Sequence, residues 1–262
     1  MPILIQCFFA FCGGIFGTLI GGTAAFIFSG LLVLLGSVII ITTGQTFFVD
    51  TVAMGPMFAP HIAFVGSVAA ASFTSTPKDT MSARLKEENI MSLLIGGLFG
   101  TIGFLIFKII NTIHPDLDAS ALSVLVCAIL TRFISRKPIW CKNPPQKSNL
   151  TFIGIWSFAI AILTAQIVKI TGIANIGWAI SAVSLVFLYI DRDNFPVTHH
   201  ITMIAGMVVL TTNSILIAGI IGALISVLGE IVDSQLNSEV TSAFDMPATL
   251  IGLMSVLLVV LV

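Results

Sequence analysis

Three of the chain's four histidines stand beside prolines inside apolar sequence. His61 follows Pro56 and Pro60 in MGPMFAPHIAFVG, and His199 and His200 follow Pro196 in NFPVTHHITMIAG. Imidazole titrates near physiological pH, so it can contact a solute or pass a proton. A proline removes a backbone donor and clashes with the preceding turn. In lipid, such a break survives only where protein or a watery cavity satisfies the freed carbonyls. Of the ten prolines, Pro2, Pro77, Pro115, Pro138, Pro144 and Pro145 fall at the terminus or in connections. The other four, Pro56, Pro60, Pro196 and Pro247, each lie within five residues of His61, His199, His200 or Asp245. Breakers and ionisable groups placed together are the pattern of discontinuous helices around a polar site.

Proline also suits the first turn of a helix, so Pro60-His61 and Pro196 to His200 read as helix starts. Helix starts present unpaired N–H groups and partial positive charge, which suit an anion or a polarised neutral solute. His61 and His200, each followed by Ile, form a matched pair, with Pro60 at the place of His199. The plainer account is that these histidines bond carbonyls and steady the breaks.

Carboxylates extend the constellation. Asp245 precedes Pro247 by two residues and joins the candidate site. Asp118 opens a helix and reads chiefly as its cap. Glu230 lies in the apolar run SVLGEIV, where an ionisable group is by default a functional candidate; Asp233 and Glu239 nearby place it toward an interface. The expected substrate-binding or proton-relay set is therefore His61, His199, His200 and Asp245, with Glu230 and Asp118 as further members and Pro56, Pro60, Pro196 and Pro247 as supporting breaks. Imidazole, carboxylate and the Met246 thioether are also transition-metal ligands. No HxxxH or HExxH spacing occurs, so a metal is expected only as a substrate or a ligand gathered from separate helices, and no resident cofactor is expected.

These residues need elements to carry them. The 262-residue chain is 57% hydrophobic and 9% charged, with a net charge of −1 and mean hydropathy +1.11. A soluble domain carries roughly 25% charged residues, and this chain has too little polar surface to cover itself in water. Apolar runs recur, so the fold class is an all-α polytopic integral membrane protein. The first run begins at Ile3 without a basic residue before it and reads as a membrane helix rather than a signal peptide. Helices are expected at about 3–20, 22–42, 57–74, 89–111, 118–135, 150–169, 174–190, 197–211, 214–232 and 246–262.

The ten segments divide at Arg136 to Asn149 into a first membrane repeat (1–135), a connection (136–149) and a second repeat (150–262). SLLIGGLFG (92–100) resembles SILIAGIIG (214–222), and an aspartate opens the final helix of each half. The order of helix, helix, histidine segment, glycine-rich helix and aspartate helix thus occurs twice. Lys78, Arg84, Lys86, Arg132, Arg136, Lys137, Lys142, Lys147 and Arg192 fall on one side if every segment spans. The positive-inside rule makes that side cytoplasmic, including 136–149, in a plasma-type membrane. Five spans per half is odd, so the halves are expected to be inverted repeats. If segments three and eight are re-entrant, each half has four spans and the repeats run parallel.

Other features read as packing. Gly13, Gly17 and Gly21, and Gly96 with Gly100, suit close helix contact. Gln166, Asn175 and Asn213 read as polar glue, and Trp140, Trp156, Trp178 and Tyr189 as interface anchors. Cys7, Cys12, Cys127 and Cys141 show no metal or disulfide spacing. No GxxxxGK[ST] occurs, so the chain does not hydrolyse ATP by that motif, and its sparse basic residues argue against nucleic acid. The function expected is a secondary transporter or channel for a small solute, with proton coupling a natural corollary. Its partners are the lipid bilayer, a small-molecule or ion substrate, and a second copy in a homo-oligomer. It is expected not to be an enzyme. The alternatives are a membrane subunit of a multi-component transporter and an intramembrane enzyme using His and Asp as acid and base.

Overall fold

A computed structural model describes residues 1–73, 82–83, 88–136, 149–191, 195–237 and 244–261. Among them every regular element is helical. The helices are α1 (Ile3–Ile20), α2 (Gly22–Thr43), α3 (Ala63–Ser72), α4 (Ile90–Ile113), α5 (Ala119–Ile134), α6 (Leu150–Thr171), α7 (Asn175–Ser184), α8 (His199–Thr212), α9 (Ile215–Asn237) and α10 (Met246–Leu261). Five of them, α1, α2, α4, α6 and α9, are long and apolar enough to cross a membrane. Leu4, Ile109, Ile155 and Ile170 are among the large apolar side chains left on the outside. Lipid is the solvent that suits such a surface, and the chain is a membrane-embedded helical protein.

The expected helix over 57–74 is corrected: α3 begins only at Ala63 and has 10 residues. It is about 15 Å long against a hydrocarbon core of about 30 Å. Upstream, Val49–Ala53 is a single π-type turn, and residues 54–62 are non-helical, with Ala59, Pro60 and His61 buried. Pro56 and Pro60 account for the break, since each removes a donor that a continuous helix would need. The freed carbonyls find partners. Ser29 Oγ donates to the Phe58 carbonyl, and the Ala59 carbonyl accepts from Ile62 N and Ala63 N, both at 2.9 Å. In the second half, as in the first, the break precedes the helix. α7 tightens into a 3-10 turn at Leu185–Tyr189, residues 195–198 are extended or irregular, and α8 then runs unbroken. The helix expected to end at 232 continues to Asn237.

The helices pack in the same pairs in each half. α1 lies on α3 and α4, and α6 lies on α8 and α9; α2 touches α3 as α7 touches α8. Across the halves, α2 meets α7 and α5 meets α10. α5 and α10 run antiparallel: Leu122 abuts Gly252, whereas Arg132, ten residues on, sits 4.9 Å from the Phe244 ring just ahead of α10. One apolar cluster runs through both halves, from Phe26 and Val33 to Ile204 and Ile251.

Trp178 is not an interface anchor. It is 6% exposed and lies edge-on to Phe26, ring centroids 5.1 Å apart. Trp140, Cys141, Lys78, Arg84, Lys86, Glu239, Arg192, and the connection from Lys137 to Ser148 lie outside the described residues. Arg132 is fully buried; its guanidinium donates to Asn237 Oδ1 at 2.9 Å. A bonded guanidinium is how so large a charge is tolerated in the last turn of α5.

Candidate functional site

The starts of α5 and α10 are built alike. Asp118 Oδ1 accepts from Ala121 N and Asp245 Oδ1 from Ala248 N, each at 2.8 Å. Both carboxylates therefore cap their helices, which is the role expected of Asp118 and is now found for Asp245 as well. Capping does not exhaust them. Both border a narrow chamber of about 30 Å³, lined also by Pro60, Ser120, Asn175 and His199.

The chamber wall comes in matched pairs from the two halves. Asp118 and Asp245, Ala121 and Ala248, and Val124 and Ile251 occupy corresponding positions on α5 and α10. Pro60 faces it from the first break and His199 from the start of α8. Phe26 from α2 and Trp178 from α7 also line it.

His199 is 6% exposed, and neither of its ring nitrogens has a hydrogen-bond partner among the described residues. Its ring lies 4.7 Å from that of Phe26. Both also border a second, larger cavity of about 670 Å³, shared with His200, Glu230, Asp233 and Asp245. Phe26, His199 and Asp245 thus stand between the chamber and this vestibule. Pro196 and Pro247 line the vestibule, and Pro60 the chamber.

The histidines do not form one cluster. His200 faces the vestibule, with Nδ1 unpartnered among the described residues. His61 lies apart: its ring stacks on Phe107 at 4.2 Å, and Nδ1 is 3.0 Å from Ser120 Oγ. It reaches the chamber only through Ser120, which lines it. Pro56 sits in the buried break without lining either cavity. Of the sequence candidates, the structure brings together His199, Asp118, Asp245 and Pro60 at the chamber, and His200, Glu230, Pro196 and Pro247 at the vestibule. No three His, Cys, Asp or Glu side chains converge as a metal site among the described residues.

Sequence reading passed over Phe26, Ser120 and Met203. Asn175, read as glue, lines the chamber. The one signal available for Ser120 was its place two residues after a capping aspartate, where a helix start faces its neighbours.

No curated protein and no solved structure matches the chain. A family model described as a family of unknown function (DUF7973) matches it in two stretches, residues 2–151 and 136–262, which overlap only around the central connection. Between them these stretches take in nearly every residue described above, and the chain belongs to that family.

Proposed function

We propose that the protein is a secondary transporter or channel for a small solute, which passes through the chamber between two inverted five-segment repeats. The single observation that carries this reading is the chamber wall, built in pairs from corresponding positions of the two halves. The paired packing of the helices, the antiparallel α5 and α10, and the double family match support the repeat. A site at the repeat interface beside broken helices is where secondary transporters bind their solutes. With the basic connections cytoplasmic, the vestibule opens toward the cytoplasm, since the end of α9 and the starts of α6, α8 and α10 surround it. Asp245 and His199, at the boundary of both cavities, are the first groups a solute meets in leaving the vestibule. Proton coupling is carried by the same pair.

The test is flux. The protein is reconstituted in liposomes and offered small cations, small anions, amino acids, carboxylates and nucleobases. At least one class is expected to move faster than in protein-free liposomes. His199→Phe, which keeps a ring and removes both nitrogens, is expected to cut that flux at least tenfold with little change in melting temperature. No flux in any class, or undiminished flux in His199→Phe, would overturn the proposal.

A second reading rests on the Ser120–His61 pair at 3.0 Å. A serine within reach of an imidazole is the start of an acyl-transfer site. Against it, the base has no third group orienting it, since His61 Nε2 has no partner among the described residues. Covalent labelling of Ser120 by a small fluorophosphonate would favour the enzyme; its absence, with flux present, is the expected result.

A further inference from the structure

We propose that the vestibule is a binding site for an organic cation, an amine whose ammonium sits against Glu230 and Asp233 and whose apolar body packs on the aromatic wall. This deepens the transport reading by naming its substrate class, and it rests on that reading only for the passage of the amine, not for its binding.

The site begins with α9. Ser226, Glu230, Asp233 and Asn237 follow one another at steps of four, three and four residues, which puts all four on one face of the helix. All four line the vestibule. Carboxylates on a helix long and apolar enough to span are costly and need a use. Glu230 and Asp233 are neighbours on that face, and like charges at such a spacing repel. A cation seated against them relieves the repulsion.

The charge balance sets the sign of the ligand. The three carboxylates of the vestibule form one group: Asp233 feels the charge of Glu230, and Asp245 feels that of Asp233. Arg132 also acts on Asp233, from its hydrogen bond to Asn237. No lysine or arginine lines the vestibule among the described residues. Three carboxylates against one guanidinium leave the space negative.

The histidines supply the independent sign that a ligand belongs there. His199 is 6% exposed and lines the vestibule, and neither ring nitrogen has a partner among the described residues. Whichever tautomer it holds, one lone pair waits for a donor. His200 lines the same wall, is 3% exposed, and is unpartnered at Nδ1 among the described residues. Buried polar atoms are nearly always satisfied, so orphaned imidazoles at a cavity wall mark a missing partner. An amine carries N–H donors; a carboxylate has none.

The remaining wall suits the body of such a ligand. Phe64, Trp156, Phe195 and Phe244 line it, and aromatic faces attract cations. The Phe244 ring already holds one, the Arg132 guanidinium 4.9 Å from its centroid. A space of about 670 Å³ lies within the range of about 300–1,000 Å³ that small-molecule sites occupy. It is too roomy to grip a bare metal ion, and no metal-ligand cluster converges among the described residues. A zwitterion, whether amino acid or lipid headgroup, brings its own anion against the same carboxylates and is disfavoured.

The test varies the charge of the ligand and of the wall. Detergent-purified wild type is melted at neutral pH with 2-phenylethylamine. Its neutral, anionic and zwitterionic counterparts of similar shape are 2-phenylethanol, 3-phenylpropionate and phenylalanine. The amine is expected to raise the melting temperature most. Glu230→Gln and Asp233→Asn remove a charge and keep the shape. Each is expected to raise the amine concentration giving half the shift at least tenfold, read from its own ligand-free melting temperature. Asp116→Asn, exposed and outside both cavities, is expected to leave that concentration unchanged. No shift from the amine, an equal shift from any counterpart, an unchanged half-shift concentration in both vestibule variants, or an equal rise in Asp116→Asn would each overturn the amine site. The two proposals fail separately. An amine shift without flux keeps this site and removes transport, whereas flux of an anionic or uncharged solute without any amine shift does the reverse.

Discussion

Phe26→Ala is expected to raise solute flux through the reconstituted protein at least tenfold and to blunt its selectivity. Phe26 borders both the chamber and the vestibule. Its ring is held edge-on by Phe64, with centroids 5.5 Å apart, by Trp178 at 5.1 Å, and at a tilt by His199 at 4.7 Å. Neighbours from α3, α7 and α8 therefore fix one side chain of α2 between the two spaces. Removing the ring joins a volume of about 30 Å³ to one of about 670 Å³. The narrow chamber then becomes the end of a wider passage. The same change removes buried aromatic contacts at a cost of about 3–5 kcal/mol, so the variant is expected to melt lower. Phe26→Leu separates the effects: it restores most of the volume, and both flux and melting temperature are expected to return toward wild type. Flux that is unchanged in monodisperse, folded Phe26→Ala would remove Phe26 as the barrier.

Phe26 also shows what sequence could not supply. It is one of 20 phenylalanines, and nothing in its neighbourhood marks it. A helix in water declares its buried face by apolar residues at helical spacing. α2 is apolar all round, with lipid outside and protein inside, so that signal vanishes. Trp178 was misplaced for the same reason. A tryptophan near the end of an apolar run reads as an anchor, but its place is fixed by α2 across the inter-half contact, which no local pattern reports. Prolines and histidines were legible because they are costly in lipid and need a reason to be there. Their spacing located both breaks, and it placed His199, His200 and Asp245 beside a cavity. It did not reveal that His61 turns away to Ser120 and Phe107 while Pro60 takes the chamber wall. That choice depends on which side of a non-helical stretch each residue faces. The period of 3.6 that would predict facing does not apply to residues 54–62. Asp118 and Asp245 were placed correctly as helix starts, yet that both border one chamber, from opposite ends of an antiparallel pair, follows from the packing of α5 on α10.

The glycines carry the largest expected effect on folding. α1, α3 and α4 meet backbone to backbone around Gly14, Gly66 and Gly96. A methyl group added at Gly14 would overlap the Gly96 carbonyl oxygen and come within 3.1 Å of the Gly100 Cα. One added at Gly66 would stand 2.6 Å from that same oxygen and 2.8 Å from the Gly14 Cα. Every obstacle is main chain, so no rotamer change can make room, and the helices must part. Overpacking that side chains can absorb costs about 1–3 kcal/mol. Gly14→Ala is expected at the upper end of that range or above it, seen as a fall in the midpoint of denaturant unfolding. Gly154→Ala is the control. Its added methyl meets only Val227 Cγ2, at 3.8 Å. Replacing an unconstrained glycine within a helix gains about 0.5–1 kcal/mol, so this variant is expected to be as stable as wild type or more so. Equal midpoints for the two variants would show that the contact is not tight. The expected difference has a functional side, because the same wedge seats the break that carries Pro60. α1 presses on that break directly, with Gly13 against the Met57 carbonyl and Gly17 against the backbone of Ala63. Parting the helices therefore moves Pro60 off the chamber wall, and Gly14→Ala should lose flux in proportion to the fraction unfolded or more steeply, never less.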